Sequence, residues 1–340
     1  MPTLSLAPER CISTVLVGVS GKVGTWLPAL LAPEARRAGV ALEAVCCVDS
    51  AAEGALPALG NGTAVVHDLD EALARGPDLV VDCTSIHARP AIAGAALRVG
   101  AHVLCEPPLA ADASSAIALI GAAARAPGSL TVAYAGRHRP DLHALRPVVR
   151  GISGTMVRRL SVRIVLPETG PLPVPGRAGL LSNGPVGHAI DAVRALTGRE
   201  AIEVRCRQSG RHLAATFALT DGMMLDLSVE PGKDRASGSE TWTCEADGNR
   251  RHLLRHDVGD ATPSLVIGSV AAALRDGRHP EPGPRDAAGT LAMLLAAERS
   301  AGHEGRSEPV PPLGLMGDAS GLPAPRGGLA TRTRPGAEAP

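Results

Sequence analysis

The chain has 340 residues, 45% of them hydrophobic and 20% charged, enough apolar material for one large or two medium domains. Its formal net charge is +0 and no stretch approaches the roughly 20 apolar residues of a membrane span, so neither nucleic acid nor a membrane is expected as a partner. Trp26, Tyr134, Phe217 and Trp242 are the only aromatic residues, which leaves the core to Ala, Val, Leu and Ile and argues against base stacking. The start, MPTLSLAPER, has no basic segment followed by a long apolar one, and the seven cysteines form no metal-binding spacing. We expect a cytoplasmic protein with buried free thiols and no metal.

Along the first 135 residues, short apolar runs alternate with helical stretches. The runs are STVLVGV, LEAVCCV, TAVVHD, DLVVDCT, AHVLCE and SLTVAY, rich in Val and Leu with little polar alternation. Such runs suit strands covered on both faces, and their spacing predicts a doubly wound parallel sheet, a Rossmann-type α/β domain over 1–135. Pro28 falls inside the first candidate helix and is expected to kink it or delay its start. After residue 150, MVRRLSVRIVLPE, AIEVRCRQ, HLAATFALT, GMMLDLSVE and ETWTCEA read as alternating strands. Helical pieces lie at GHAIDAVRALTG, PSLVIGSVAAALRDG and RDAAGTLAMLLAAERSA. The mixture predicts an α+β domain with a mainly antiparallel open sheet over 136–303, and the Pro/Gly-rich 304–340 is expected to be a largely disordered tail.

VLVGVSGKVG places Gly18, Ser20, Gly21, Lys22, Val23 and Gly24 between the first strand and the first helix. The spacing is GxxGxxG, with Ser20 at the usual second glycine of GxGxxG. Small residues there let a diphosphate approach the backbone and a helix N-terminus. Asp49 ends the next strand, where a carboxylate would bond the ribose hydroxyls and favour NAD over NADP. Alternatively, Asp49 and Ser50 simply cap the following segment.

Four later stretches together resemble the glucose–fructose oxidoreductase, inositol dehydrogenase and rhizopine-catabolism (Gfo/Idh/MocA) family over nearly all of 12–303. DLVVDCTSIHARPAIAGAALRVGAHVLCEPPLA resembles the family's stretch ending in Glu-Lys-Pro-Leu, and TVAYAGRHRPDLHALRPVVRGISG its Arg-x-x-Pro segment. GPVGHAIDAVRALTG resembles the substrate-side helix, and RDAAGTLAMLLAAERSA the closing helix. The resemblance implies an NAD(P)-dependent oxidoreductase with its nicotinamide between the domains, above Thr84, Ser85 and Ile86 and near Glu106 and Pro107. It also implies a small polar substrate and a homodimer or homotetramer formed through the second sheet.

The departures concern the chemistry. The family's lysine is Pro107 here, and its aspartate one turn before the histidine is Gly184. Only His188 stands in place, with Asp191 on the same helix face to orient it or raise its pKa. His188 is thus the expected proton donor or acceptor; the alternative is a structural histidine with a solvated Asp191. His87 and Tyr134 are further proton candidates, although a strand tyrosine bonded to backbone is equally consistent. Arg137 and His138 are candidate substrate ligands, or part of a solvated basic loop. Without the lysine, an already electrophilic C=N substrate is favoured over C=O. The rival expectation is a redox-inactive family member that binds a ligand or catalyses proton transfer or elimination.

Overall fold

The structure is a computed structural model. It describes residues 11–18, 23–47, 59, 62–151, 156–167, 184–232, 238–246, 249–258 and 262–313. In chain order the first half is β1 (Ile12–Gly18), α1 (Val23–Leu31), α2 (Pro33–Arg37), β2 (Val40–Cys47), β3 (Ala64–Val66), α3 (Leu69–Ala74), β4 (Leu79–Cys83), α4 (Arg89–Arg98), β5 (His102–Cys105), α5 (Ala113–Arg125) and β6 (Leu130–Val132). A 3-10 turn at Ala135–His138 leads into two short helices, α6 (Pro140–His143) and α7 (Arg146–Val149). The second half is β7 (Val157–Leu166), α8 (Gly184–Thr197), β8 (Ala201–Ser209), β9 (His212–Leu219), β10 (Met224–Pro231), β11 (Gly238–Ala246), β12 (Asn249–Val258), α9 (Thr262–Arg275), α10 (Pro284–Gly302) and β13 (Glu308–Pro309).

The first six strands form one parallel sheet in the order β3-β2-β1-β4-β5-β6. The order reverses between β1 and β4, the switch point at which doubly wound sheets bind ligands. All seven residues of β1 are buried. Val15 and Val17 join one core layer, and Ile12 and Leu16 join the other, as strand alternation requires. The apolar run without polar alternation is therefore the signature of a two-sided burial.

Seven strands build the second sheet, β12-β11-β7-β10-β9-β8-β13, antiparallel except where β10 pairs with β7. Its inner face carries Leu160, Val162, Phe217, Leu225, Leu227 and Trp242, which share a core with α8 and α10. The other face is polar, with Arg159 paired to Asp226 and Arg163 to Glu230. β12, NRRHLLRHDV, escapes the sequence patterning because its charges break the alternation.

Three expectations need correction. Helix α1 starts at Val23 and runs through Pro28, because Trp26, Leu27 and Leu30 are buried in a core shared with α9. Second, α9 and α10 do not belong only to the second domain. Val266, Ile267 and Val270 of α9 and Ala287, Ala288 and Leu291 of α10 complete the first domain's core, so the sequence boundary at 135/136 divides the chain but not the packing. Third, order continues past 303: β13 pairs with β8, and Leu313 is buried beside α10. Backbone pairing to an open sheet edge, which composition does not reveal, holds this segment; residues 314–340 lie outside the described ones.

Candidate active site

β5 and β6 end side by side, and residues just beyond them, Glu106, Pro107, Ala133, Ala135 and Gly136, form one wall of a cavity of about 280 Å³. The opposite wall comes from the first turn of α8 (Gly184, Pro185) with His188, from Glu240 on β11 and from Pro263 and Val266 on α9. The cavity therefore lies between the two sheets. A wider depression of about 660 Å³ on the second sheet, near Arg207, His212 and Glu230, brings together none of the expected site residues.

His188 lines the cavity, and its Nδ1 accepts the Ala135 N–H at 3.2 Å. That bond places the proton of the neutral ring on Nε2. Asp191 makes no direct hydrogen bond to His188. It is fully buried and takes the fork of Arg137 through both oxygens, at 2.7 and 3.0 Å, with Thr290 Oγ1 donating at 3.2 Å. Burial raises the Asp191 carboxyl above the usual carboxylate range, and the Arg137 guanidinium opposes that rise. Nor is Arg137 available to a substrate. Its other contact is Asp286 at 2.6 Å, and it does not line the cavity. Burial works against its charge, but the Asp191 contact leaves its pKa raised.

Tyr134 stacks edge-on against His188, with ring centroids 5.8 Å apart, yet lies outside the cavity lining. Its hydroxyl is fully buried with no hydrogen-bond partner among the described residues, and burial raises the phenol well above its usual 10. A group so unwilling to ionise is a poor substitute acid. His138 also lies outside the lining; burial, then Arg137 and His143, lowers its pKa to about 4. His87 is exposed in the turn before α4 and does not line the cavity either.

Sequence reasoning missed Trp26 and Glu240, and reached Arg139 only as a member of the basic run RHRPDLH. Trp26 donates its indole N–H to Glu106 Oε1, and Trp242 donates to Glu240 Oε1. The chain's only two tryptophans thus each hold a carboxylate at the same cavity, a signal present in an aromatic-poor sequence but readable only once the chain is folded. Arg139, two residues after the expected Arg137, is the guanidinium that lines the cavity. It forks onto Asp141 at 2.7 and 3.1 Å and reaches Glu240 at 3.4 Å.

At the cofactor end, Gly18 closes β1 between Cys47 of β2 and Cys83 of β4. Val23 and Gly24 open α1, whose first turn has no acidic residue, as an anion-accepting helix start requires. Ser20, Gly21, Lys22 and Asp49 lie outside the described residues. Thr84 is buried, and both its N–H and Oγ1 bond Asp82 Oδ1, at 2.9 and 2.6 Å. Exposed Ser85 accepts the Ala88 N–H at the start of α4. Beneath the Glu106 turn, buried Arg89 bonds the Pro108 carbonyl and approaches Asp82 at 3.7 Å. The turn thus keeps its support although its second residue is proline. Strand end, glycine and helix start at the switch point fit a dinucleotide.

Residues 12–134 match the family model described as "Oxidoreductase family, NAD-binding Rossmann fold", GFO_IDH_MocA. The likeness to the Gfo/Idh/MocA family thus covers the first domain. The myo-inositol dehydrogenase Hyg17 of Streptomyces leeuwenhoekii is 32% identical over 142 residues, 41% of this chain and 43% of that protein, so the match spans less than half of the relative's length. Among solved structures, myo-inositol dehydrogenase from Lactobacillus casei in complex with NAD(H) and myo-inositol superposes with a TM-score of 0.75 at 16% identity, over 92% of this chain and 99% of that one. GenD2 from gentamicin A biosynthesis, in complex with NAD, gives 0.72 at 21% identity over 92% and 99%. At these identities the structural likeness establishes the two-domain fold alone.

Proposed function

We propose that this protein is an NAD-dependent oxidoreductase acting on a small polyhydroxylated ring compound, with reduction of a C=N bond favoured over a C=O bond. The observation that carries this is the Ala135 N–H bond to His188 Nδ1, 3.2 Å long, at a cavity beside the Glu106–Pro107 turn. Gly18, the first turn of α1, Thr84–Ser85 and Glu106–Pro107 would hold the dinucleotide, and the loop residues 20–22 and Asp49 would complete its site. When bound, the nicotinamide supplies or accepts the hydride. The ligands bound in the similar solved structures, NAD(H) and myo-inositol, support the cofactor and the substrate class.

A ring nitrogen that already accepts an N–H takes up a proton only by losing that bond. His188 therefore acts as a neutral donor through Nε2, orienting a polar atom of the substrate. Pro107 supplies neither an amine nor a backbone donor. A carbonyl gaining hydride needs a proton as well, whereas a protonated imine gaining hydride becomes a neutral amine without one. The donor set suits the second case, and the carboxylates of Glu106 and Glu240 suit a substrate carrying positive charge.

The deciding experiment titrates the purified protein with NAD(H) and NADP(H), then measures NADH consumption with cyclic imines and keto-cyclitols. Tight NAD(H) binding with faster turnover of imines is expected. No binding at millimolar dinucleotide overturns the redox assignment. Binding without turnover of either class would favour a redox-inactive relative.

A further inference from the structure

We propose that the segment Ala135–Gly136–Arg137 is a positioning element for His188, anchored by the Arg137–Asp191 ion pair. The proposal rests on the assignment of His188 as a hydrogen-bond donor at the cavity. His188, Asp191 and Ala192 occupy positions i, i+3 and i+4 of α8 and so share one face. Each meets one residue of the segment. The Ala135 N–H bonds His188 Nδ1 at 3.2 Å. Gly136 lies so close that a Cβ there would stand 2.8 Å from Ala192 Cβ and 3.4 Å from the His188 carbonyl. Arg137 closes the contact with its fork on Asp191.

The anchor is itself held from behind. Arg137 reaches Asp286 of α10, and Arg194, one turn beyond Asp191, bonds Thr290 at 3.1 Å and Asp286 at 3.0 Å. A bidentate guanidinium fixes direction as well as distance, which an ammonium does not. The fork therefore fixes where the backbone of the segment lies, and with it the N–H facing Nδ1. That N–H excludes the tautomer protonated on Nδ1 and keeps the proton on Nε2. Neither Arg137 nor Asp191 lines the cavity, so both are positioning residues rather than catalytic ones.

The test reads the tautomer directly, in protein carrying 15N-labelled histidine and no cofactor, with the His188 signals identified by their loss in His188→Gln. In the wild type, Nδ1 is expected at the unprotonated and Nε2 at the protonated imidazole nitrogen position. Arg137→Lys keeps the charge but loses the fork, and should mix the two tautomers. It should also lower kcat by about 10- to 100-fold, with KM and NAD(H) affinity little changed. Asp191→Asn replaces it if Arg137→Lys does not fold. Ala135→Pro removes the N–H itself and is compatible with the backbone, since Tyr134 is extended (φ −79°, ψ 94°) and Ala135 opens a 3-10 turn. It too should mix the tautomers. An unmixed His188 in Ala135→Pro, or in the variant that breaks the fork, overturns the proposal. The signal needs no turnover, so a failed redox assignment and a failed positioning role give different results.

Discussion

An imidazole held at Nδ1 by a backbone N–H is suited to donating a hydrogen bond and poorly suited to carrying protons. For His188 this gives a discriminating pair of variants. His188→Ala should lower kcat/KM about 100- to 1000-fold, the usual cost of losing one preorganised donor. His188→Gln should recover part of that loss, because an amide N–H remains; equal loss in both variants by steady-state kinetics would mark a proton carrier instead. Two other histidines bear on stability. Burial foremost lowers His102 and His138 to about 4 each, below the ordinary value near 6.5. The unfolded chain then binds more protons than the folded one between about pH 6.5 and 4, so stability is full above that window and falls as pH drops through it. The urea midpoint should decrease from pH 7 to pH 5, and the decrease should shrink in His102→Asn. At this scale the sequence was partly legible. It located His188 but gave it Asp191 as a partner, because spacing along a helix gives a shared face and not the contact across it, here the Ala135 N–H.

Helix ends and close approaches set the next scale. Asp112 caps α5, accepting the Ser115 N–H and the Ser114 hydroxyl, each at 2.8 Å. Those bonds hold its carboxyl below the usual carboxylate range. The cap contributes above the unfolded carboxyl's pKa of about 4 and is lost as pH falls through the lower folded value. Asp112→Ala should cost about 1 kcal/mol at pH 7 in urea unfolding, and much less in strong acid. Gly136→Ala would force a methyl onto Ala192 and should destabilise by about 1–3 kcal/mol in the same assay. The cap has a sequence signal, a short acid just before an apolar helix, whereas the need for glycine at 136 has none. That need arises from α8, about fifty positions further along the chain.

For the whole molecule, a dinucleotide that binds only the folded chain must raise its stability. NAD(H) at 100 times its Kd should add about 2.7 kcal/mol, seen as a higher melting temperature. NADP(H) should add less if Asp49 meets the ribose hydroxyls, and Asp49→Ser should narrow the difference. We further expect a homodimer or homotetramer assembled through the outer face of the second sheet. The Arg159–Asp226 and Arg163–Glu230 pairs make that face polar. Sedimentation velocity should therefore show one closed oligomer whose dissociation increases with salt; a monomer at all salt concentrations would remove this face as an interface.

The amino-acid order by itself determined the two sheets and the glycine-bearing switch point. Strand burial is written as runs of Val and Leu, helix burial as a 3.6-residue period, and both are local. Only the tertiary structure decided which charges cancel and which face the cavity. Arg137 and Arg139 are two residues apart and chemically alike, yet one is sealed against Asp191 and Asp286 while the other lines the cavity with Glu240. It also decided that α9 and α10 complete a core begun more than 200 residues earlier. An amphipathic helix announces that it has an apolar face, but the surface that face covers depends on where the rest of the chain has folded.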